Sequence, residues 1–453
     1  MGRVIFILCL VLAACSAPET TRRANPPIAL PPMKTFTRAA PSLPRISNAV
    51  IARDFLDLTF SLENGAKLPV FTRFEGSITV RVAEPAPPSL RPDLARLLER
   101  LRREARIDIR EVPADQPASI TIQPVKRSQI LSVAPSAACF VRPNVTSWSE
   151  YRARRNDPAT FWNRLSERRQ MAVFLPFDVS PQEIRDCLHE EISQALGPVN
   201  DIYRLNQSIF NDDNFHTVLT GYDMLILRVI YDRALRSGLS QSEVTGRLPE
   251  ILARLNPTGG LEAVAAPGPD FKAWRSAIDR ATRPGNSRTK RITSARRAVA
   301  LTQSAGALDT RFAFSNYVLG RLTLGSDPEE ALNAFLKAGR IYQNRSDTAI
   351  QEAHVAMQFA AFQLSAGRAD IALALVDRNL GVVTRAEHAA LLTLLLLVKA
   401  EALAVLDRPA EAADIQREAL AWARYGFGDE RDIRARAAEI RAISPRPNEG
   451  GAT

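Results

Sequence analysis

The chain has 453 residues, of which 24% are charged and 46% hydrophobic, and a formal net charge of +10. That length supports two or three domains with their own cores. The basic excess is mostly arginine, as in Arg100, Arg102, Arg103 and Arg106 and again from Arg283 to Arg297, but no nucleic-acid-binding motif accompanies it. A solvated basic face is expected, with anionic lipid headgroups or acidic partners as the alternative, and nucleic acid is excluded as a partner.

The chain opens with Arg3, an apolar run from Val4 to Leu12, and Leu12-Ala13-Ala14-Cys15. This has the form of a bacterial lipoprotein signal (residues 1–15) whose Cys15 is lipidated and becomes the first mature residue. The run is too short to span a bilayer, which takes about 20 apolar residues. Ser16 follows the cysteine, where an Asp would favour inner-membrane retention. The expected location is therefore the cell envelope, lipid-anchored in the outer membrane and facing the periplasm. Residues 16–45, with Pro26-Pro27 and Pro31-Pro32, read as an extended tether. With Cys9 lost in the signal and Cys15 lipidated, Cys139 and Cys187 remain. They form either a disulfide in an oxidising compartment or two buried thiols.

Residues 46–250 read as one α/β domain. Ser47 to Leu62 is helical, with Val50, Phe55, Leu58 and Phe60 as core candidates. Ser77 to Val82 alternates like a half-buried strand, and Ser119 to Ile122 and Met171 to Phe177 are further strands. Pro176 marks the last as an edge strand or a strand end. Between the first two strands Arg91 to Arg106 forms a helix with Leu94, Leu97, Leu98 and Leu101 on one stripe.

The next helix starts with Ser180 as N-cap, Pro181 at its first position and Glu183 completing a capping box, with Val179 and Ile184 as a hydrophobic staple. Gly197-Pro198 ends it. Its inward stripe is Ile184, Cys187, Leu188, Glu191, Ile192, Ala195 and Leu196. A carboxylate in mid-stripe requires a cation, a hydrogen-bond network or a wet cleft, unless the stripe edge reaches solvent there. Active zinc-peptidase helices carry two His four residues apart with a general-base Glu after the first. The register Glu190-Glu191-x-x-Gln194-x-x-Gly197-x-x-Asn200-Asp201 resembles that helix. The base position and the Gly are kept, but Glu190 and Gln194 replace the two His, and Asn200 or Asp201 replaces the third ligand.

Further on, Ser208-Ile209-Phe210-Asn211 resembles the Ser-Ile-Met turn beneath the zinc of metzincin peptidases, with Phe210 at the Met position. Leu219-Thr220-Gly221-Tyr222-Asp223, running to Ile230-Tyr231, resembles the closing helix of matrixin-type domains. The order of strand, helix, strands, motif helix, turn and closing helix is also metzincin-like. Together, about residues 46–245 resemble the bacterial lipoprotein family known as DUF2927, a domain of unknown function. The resemblance implies an α+β zincin-like (metzincin-like) domain that has lost its metal ligands. A rearranged metal site of His189, Glu190, Asp201 and His216 is the alternative, although His189 lies about 100° around the helix from Glu190. No Gly-x-Ser-x-Gly elbow, P-loop or dinucleotide fingerprint occurs.

Residues 251–289 read as a linker, broken at Pro257 to Pro269 and at Thr282 to Ser287. Residues 290–445 are Ala- and Leu-rich and helical, with three units related by 40 to 41 residues. Their markers are Ala331, Phe335 and Ala338; Ala372, Val376 and Asn379; and Ala412, Gln416 and Ala419, after Leu319-Gly320 in the first unit. A small residue with partners at +4 and +7 resembles helix B of tetratricopeptide (TPR) repeats, so the expected arm is an all-α TPR-like solenoid that binds proteins or peptides. A generic helical bundle is the alternative.

The expected function is a non-catalytic cell-envelope lipoprotein. Its old cleft is lined by Glu190, Glu191, Gln194, Asn200 and Asp201 acting by hydrogen bonding. It needs no cofactor, and its TPR-like arm binds an envelope protein or peptide. The competing expectations are an active metallopeptidase with atypical zinc ligands, in which Glu191 is the catalytic base, and a purely structural scaffold.

Overall fold

The computed structural model describes residues 30–37, 46–260, 272–306 and 308–445. The signal segment with Cys15, the first part of the tether and most of the Pro257 to Pro269 break lie outside the described residues.

The first helix, α1 (Asn48–Phe60), is capped by Ser47 and buries Ile51, Phe55, Leu58 and Phe60. Val50, expected in this core, is only half-buried because Ile51 takes the inward position. Next come β1 (Ile78–Val82), α2 (Leu90–Glu104), β2 (Ile109–Glu111), β3 (Ile120–Val125), α3 (Arg127–Val133), β4 (Phe140–Pro143), α4 (Trp148–Arg154) and β5 (Met171–Pro176). The sheet order is β2-β1-β3-β5-β4, parallel except for β4, which runs antiparallel to β5. All six residues of β5 are buried, as a continuous apolar run in an interior strand should be. Pro176 therefore marks a strand end, not an edge. The edge strands β2 and β4 have three and four residues and carry too little alternation to be seen in the sequence.

The motif helix, α5 (Pro181–Leu196), packs against β4, β5 and α2. Ser180 accepts from the Glu183 backbone N–H at 3.2 Å. The expected capping box is only half formed, because the Glu183 carboxylate is taken by Arg127 at 2.7 Å. The domain closes with α6 (Gly221–Ile230) and α7 (Gln241–Leu255).

Helices then follow without strands. They are α8 (Lys272–Thr282), α9 (Arg288–Ser304), α10 (Thr310–Thr323), α11 (Pro328–Gln343), α12 (Ala349–Ser365), α13 (Ala369–Arg385), α14 (Ala389–Val405), α15 (Pro409–Gly426) and α16 (Glu430–Ile443). Consecutive helices pack in pairs, α8 with α9, α10 with α11, α12 with α13, and α14 with α15. The small positions Ala331, Ala372 and Ala412 are all buried, as are Ala338, Asn379 and Ala419 seven residues later. That is the pattern of a helical repeat whose small residues let helices approach closely. α8 lies inside the stretch read as linker. Its stripe of Trp274, Ala277, Ile278 and Ala281 has helical spacing, but two alanines make it faint in the sequence. Among the described residues no helix is long and apolar enough to cross a membrane. The run Leu391 to Val398 is part of α14, and most of it is buried.

The two halves are joined through α5. Arg185, in the second turn of α5, is buried and reaches the helical arm. Its guanidinium donates to the Glu387 backbone carbonyl at 2.5 Å and to the Glu387 carboxylate at 3.2 Å, and it lies 5.4 Å from the Phe36 ring and 5.2 Å from the Tyr425 ring. Gln182 accepts from the Ala390 N–H at 2.9 Å. Residues 30–37 are docked on this junction and are not free tether. Lys34 N–H donates to Ala421 at 3.1 Å, and Phe36 stacks on Trp422 with ring centroids 4.4 Å apart.

Gly320 of α10 meets α11 closely enough that a Cβ there would lie 2.7 Å from the buried Phe335 ring. Gly320→Ala should destabilise the arm by about 1–3 kcal/mol through overpacking. A fall in the thermal unfolding midpoint checks this, with Gly246→Ala, an exposed position inside α7 where nothing lies within 4 Å, as the control that should not lower it.

Candidate functional site

The C-terminal half of α5 is held by Arg168, which carries no signal in the sequence, and by Tyr231 of the closing-helix motif. Arg168, fully buried, donates to the carbonyls of Gln194, Ala195 at 2.8 Å and Gly197, and stacks over Trp162 at 5.1 Å. A cation here satisfies carbonyls that a helix end leaves unpaired and complements its dipole. Burial lowers its pKa to about 10, so it stays charged at neutral pH. Tyr231, at the end of α6, donates to the Leu196 carbonyl at 3.0 Å.

The turn Ser208 to Asn211 is fastened to α6 by Asp223. The Asp223 carboxylate accepts from Ser208 Oγ, from the Ile209 N–H at 3.2 Å and from the Thr220 N–H at 2.7 Å. Phe210 is fully buried beneath the motif helix region. The turn and the closing helix seen separately in the sequence are thus one hydrogen-bonded unit.

On α5 itself, Glu191 is 2% exposed. Its carboxylate receives a hydrogen bond from the Val141 backbone of β4, while its Oε2 is buried without a partner. Carboxylate oxygens of Glu190 and Glu191 and the Cys139 sulfur all lie within 4.8 Å of one another. Cys139 is joined to Cys187 in a disulfide, with the two Cα atoms 5.9 Å apart, so its sulfur is no thiolate. One turn further along, Gln194 Nε2 donates to Asp201 Oδ2 at 3.3 Å. Glu190, Glu191, Gln194 and Asp201 therefore come together, whereas Asn200 turns away and donates to the Asp57 carbonyl of α1 at 2.9 Å.

The fold adds acids that the motif did not contain. Burial first, then Glu63 and Asp212, raise the Glu190 carboxyl to about 7. Burial also pushes Glu191 well above the usual carboxylate range, with Glu190 next in effect. Asp201 rises for the same reasons, burial first and then Glu190, Glu63 and Asp212. Glu63 follows α1 and Asp212 follows the turn motif; only the tertiary fold brings them to α5.

The rearranged site of His189, Glu190, Asp201 and His216 does not form. His189 Nδ1 accepts from the Leu219 N–H at 3.1 Å on the side of the helix facing Arg185, and the His216 ring bonds the Asn206 carbonyl at 2.9 Å. Among the described residues, the one group of three metal-capable side chains is Cys139, Glu190 and Glu191. Zinc favours imidazole and thiolate, and neither is free at this position. The donors present do not fit a peptidase zinc.

The segment 199–220 is covered on its far side by the helical arm. Phe215 packs against Tyr317 at 5.0 Å and His354 at 4.8 Å, and Gln351 donates to the Asn206 carbonyl at 2.9 Å.

Residues 48–250 match the family model described as "Protein of unknown function (DUF2927)". No curated protein and no solved structure matches the chain.

Arg168→Met should cost about 3–5 kcal/mol, because it leaves three buried carbonyls without donors; urea unfolding checks it. The acids predict the opposite sign. A Glu titrates near 4.5 when unfolded, and Glu190 does so at about 7 when folded. The folded state holds that proton more tightly, so its contribution is full below about pH 4.5 and is lost as the pH rises through 7. Glu190→Gln, neutral throughout, should therefore be about 1–3 kcal/mol more stable than the parent at pH 8, and the gain should vanish near pH 4.5. Thermal unfolding at the two pH values measures it.

Proposed function

Since the chain belongs, through residues 48–250, to the DUF2927 family of unknown function, we propose that it is a non-catalytic cell-envelope lipoprotein. In this reading a degenerate metallopeptidase-like domain and a TPR-like arm form one binding unit, anchored through a lipid on Cys15 to the outer membrane and facing the periplasm. The observation that carries the non-catalytic part is the chemistry at the two ligand positions of α5. Glu190 and Gln194 stand there, and both nearby imidazoles are engaged with backbone groups elsewhere. An amide and a carboxylate at those positions do not reproduce the imidazole pair that holds a peptidase zinc beside its general base. The zincin-like reading is supported by the element order, a strand, helix and strands leading to the motif helix, its following turn and a closing helix.

The binding part is supported by grooves between helices of the arm. One, of about 430 Å³, is lined by Arg296, Asn316, Asp327, Glu330, Asn333 and Lys337, at the start of α11. A second, of about 290 Å³, is lined by Asp377, Lys399, Arg408, Glu411 and Asp414, at the start of α15. Both sit where the second helix of a pair begins, against the helices before it. Their mixed charges suit the polar side chains and backbone of a protein or peptide partner, as expected of repeat surfaces.

The test is a peptidase assay of the full chain with added Zn²⁺, on unfolded proteins and a fluorogenic peptide pool. No cleavage above that of Glu191→Gln is expected. Zinc-dependent cleavage that Glu191→Gln abolishes would instead establish an active metallopeptidase.

A further inference from the structure

A carboxylate taken out of water needs a proton, hydrogen-bond donors or a cation. Around Glu191 the protein supplies few donors: one backbone N–H from Val141, and nothing for the buried Oε2. Asp201 has its Oδ2 bonded by Gln194 and its carboxyl within hydrogen-bond reach of Glu63, a second acid. The charges that bear most on Glu190, Glu191 and Asp201 are all acidic, namely one another, Glu63 and Asp212. Elsewhere in this Arg-rich chain, buried acids have been given cations. Asp54 pairs with Arg204 at 2.7 Å, and Asp93 lies beside Arg96. Asp223, which has no cation, has three donors instead; the cluster on α5 has neither a cation nor that many donors.

Its geometry suits one ion. Bonds of about 2.4 Å from calcium to oxygen allow two ligand atoms up to about 4.8 Å apart across the ion. The Glu190 and Glu191 oxygens fall within that span. We propose that Glu190 and Glu191 bind a divalent cation that prefers oxygen ligands, of the Ca²⁺ or Mn²⁺ class. The Cys139 sulfur at the same spot is locked in its disulfide, and no imidazole faces the cluster, so a soft or nitrogen-seeking ion has nothing to prefer here. The bound ion sits where α5 meets the sheet, since Glu191 already touches β4. This rests on the non-catalytic reading of the cleft only in that the ion is held there and not used for hydrolysis.

The experiment uses the full chain in detergent, stripped with EDTA and dialysed at pH 8. CaCl₂, MnCl₂, MgCl₂ and ZnCl₂ are titrated separately, by calorimetry and by thermal unfolding. One Ca²⁺ or Mn²⁺ per chain should bind and raise the unfolding midpoint. Glu190→Gln and Glu191→Gln should each weaken binding at least tenfold, and Glu99→Gln, on the exposed face of α2, should not. The Gln variants without cation should unfold no lower than the stripped parent, which separates lost binding from lost folding. Absence of any cation-dependent heat or midpoint shift in the parent overturns the proposal, as does unchanged binding in both Gln variants or a preference for Zn²⁺. Peptide cleavage is read separately. Cleavage abolished by Glu191→Gln would overturn the non-catalytic reading and leave the measured ion site standing.

Discussion

The structure depends on α5 having almost no solvent face. A helix between a sheet and solvent needs one apolar stripe, but α5 is covered by β4, β5 and α2 on one side and by the start of α14 and by α15 on the other. Its polar residues must therefore be satisfied by protein. Arg185 finds Glu387, Gln182 finds Ala390, and His189 finds the Leu219 N–H. The last carbonyls find Arg168 and Tyr231. Each of these partners comes from a different part of the chain, so the helix cannot be placed until most of the fold is. The two halves are coupled for the same reason: without the helical arm Arg185 would lose both its Glu387 acceptors and its Tyr425 ring contact.

Against that background the unpaired acids on the remaining side of α5 stand out. A chain that supplies partners to Arg168, Arg185, Asp93 and Asp223 leaves Glu190, Glu191 and Asp201 repelling one another. Local departures of this kind, costly in stability, concentrate where a protein binds something. Gln at Glu190 or Glu191 would keep the shape and remove the repulsion, so the carboxylates are not explained by packing. Their place on α5 is also where the resemblance to a peptidase helix puts its first ligand and its base.

Much of this was legible in the sequence and some was not, for physical reasons. Long periodic elements announced themselves: Leu94, Leu97, Leu98 and Leu101 of α2, the Ser180-Pro181 start of α5, and the small residues of the repeat. Short elements did not, since three residues of β2 and four of β4 hold too little pattern. α8 was masked by its two alanines among prolines and arginines. Within the site, Glu190, Glu191, Gln194 and Asp201 were visible because one helix and its exit carry them in register. Glu63 and Asp212 were invisible because they meet α5 only through the fold. Arg168 and Arg185 looked like two more arginines in an Arg-rich chain. Nothing local distinguishes an arginine that caps a buried helix from one that faces water. Asn200 misled for the converse reason, as its position in the register is right but its side chain is drawn to α1 by the Asp57 carbonyl.

The two sides of α5 also respond to protons in opposite ways. On the arm side three imidazoles gather: His354 and His388 have ring centroids 4.9 Å apart, and His216 bears on both. Burial lowers His216 to about 4 and His388 to about 3, with Arg185 adding to the effect at His388. Imidazoles with depressed values contribute stability above their unfolded value of 6.5, and it is lost as the pH falls through 4 and then 3. The acids of the cleft carry raised values, and their contribution is lost as the pH rises through 7. Acidification therefore relieves the cleft while straining the junction, and alkalinisation does the reverse. A cation in the cleft would remove the alkaline penalty, and none of the histidines is among the charges that bear on the cleft acids. Charge at the cleft and neutrality at the junction are thus independent requirements, met on opposite sides of one helix.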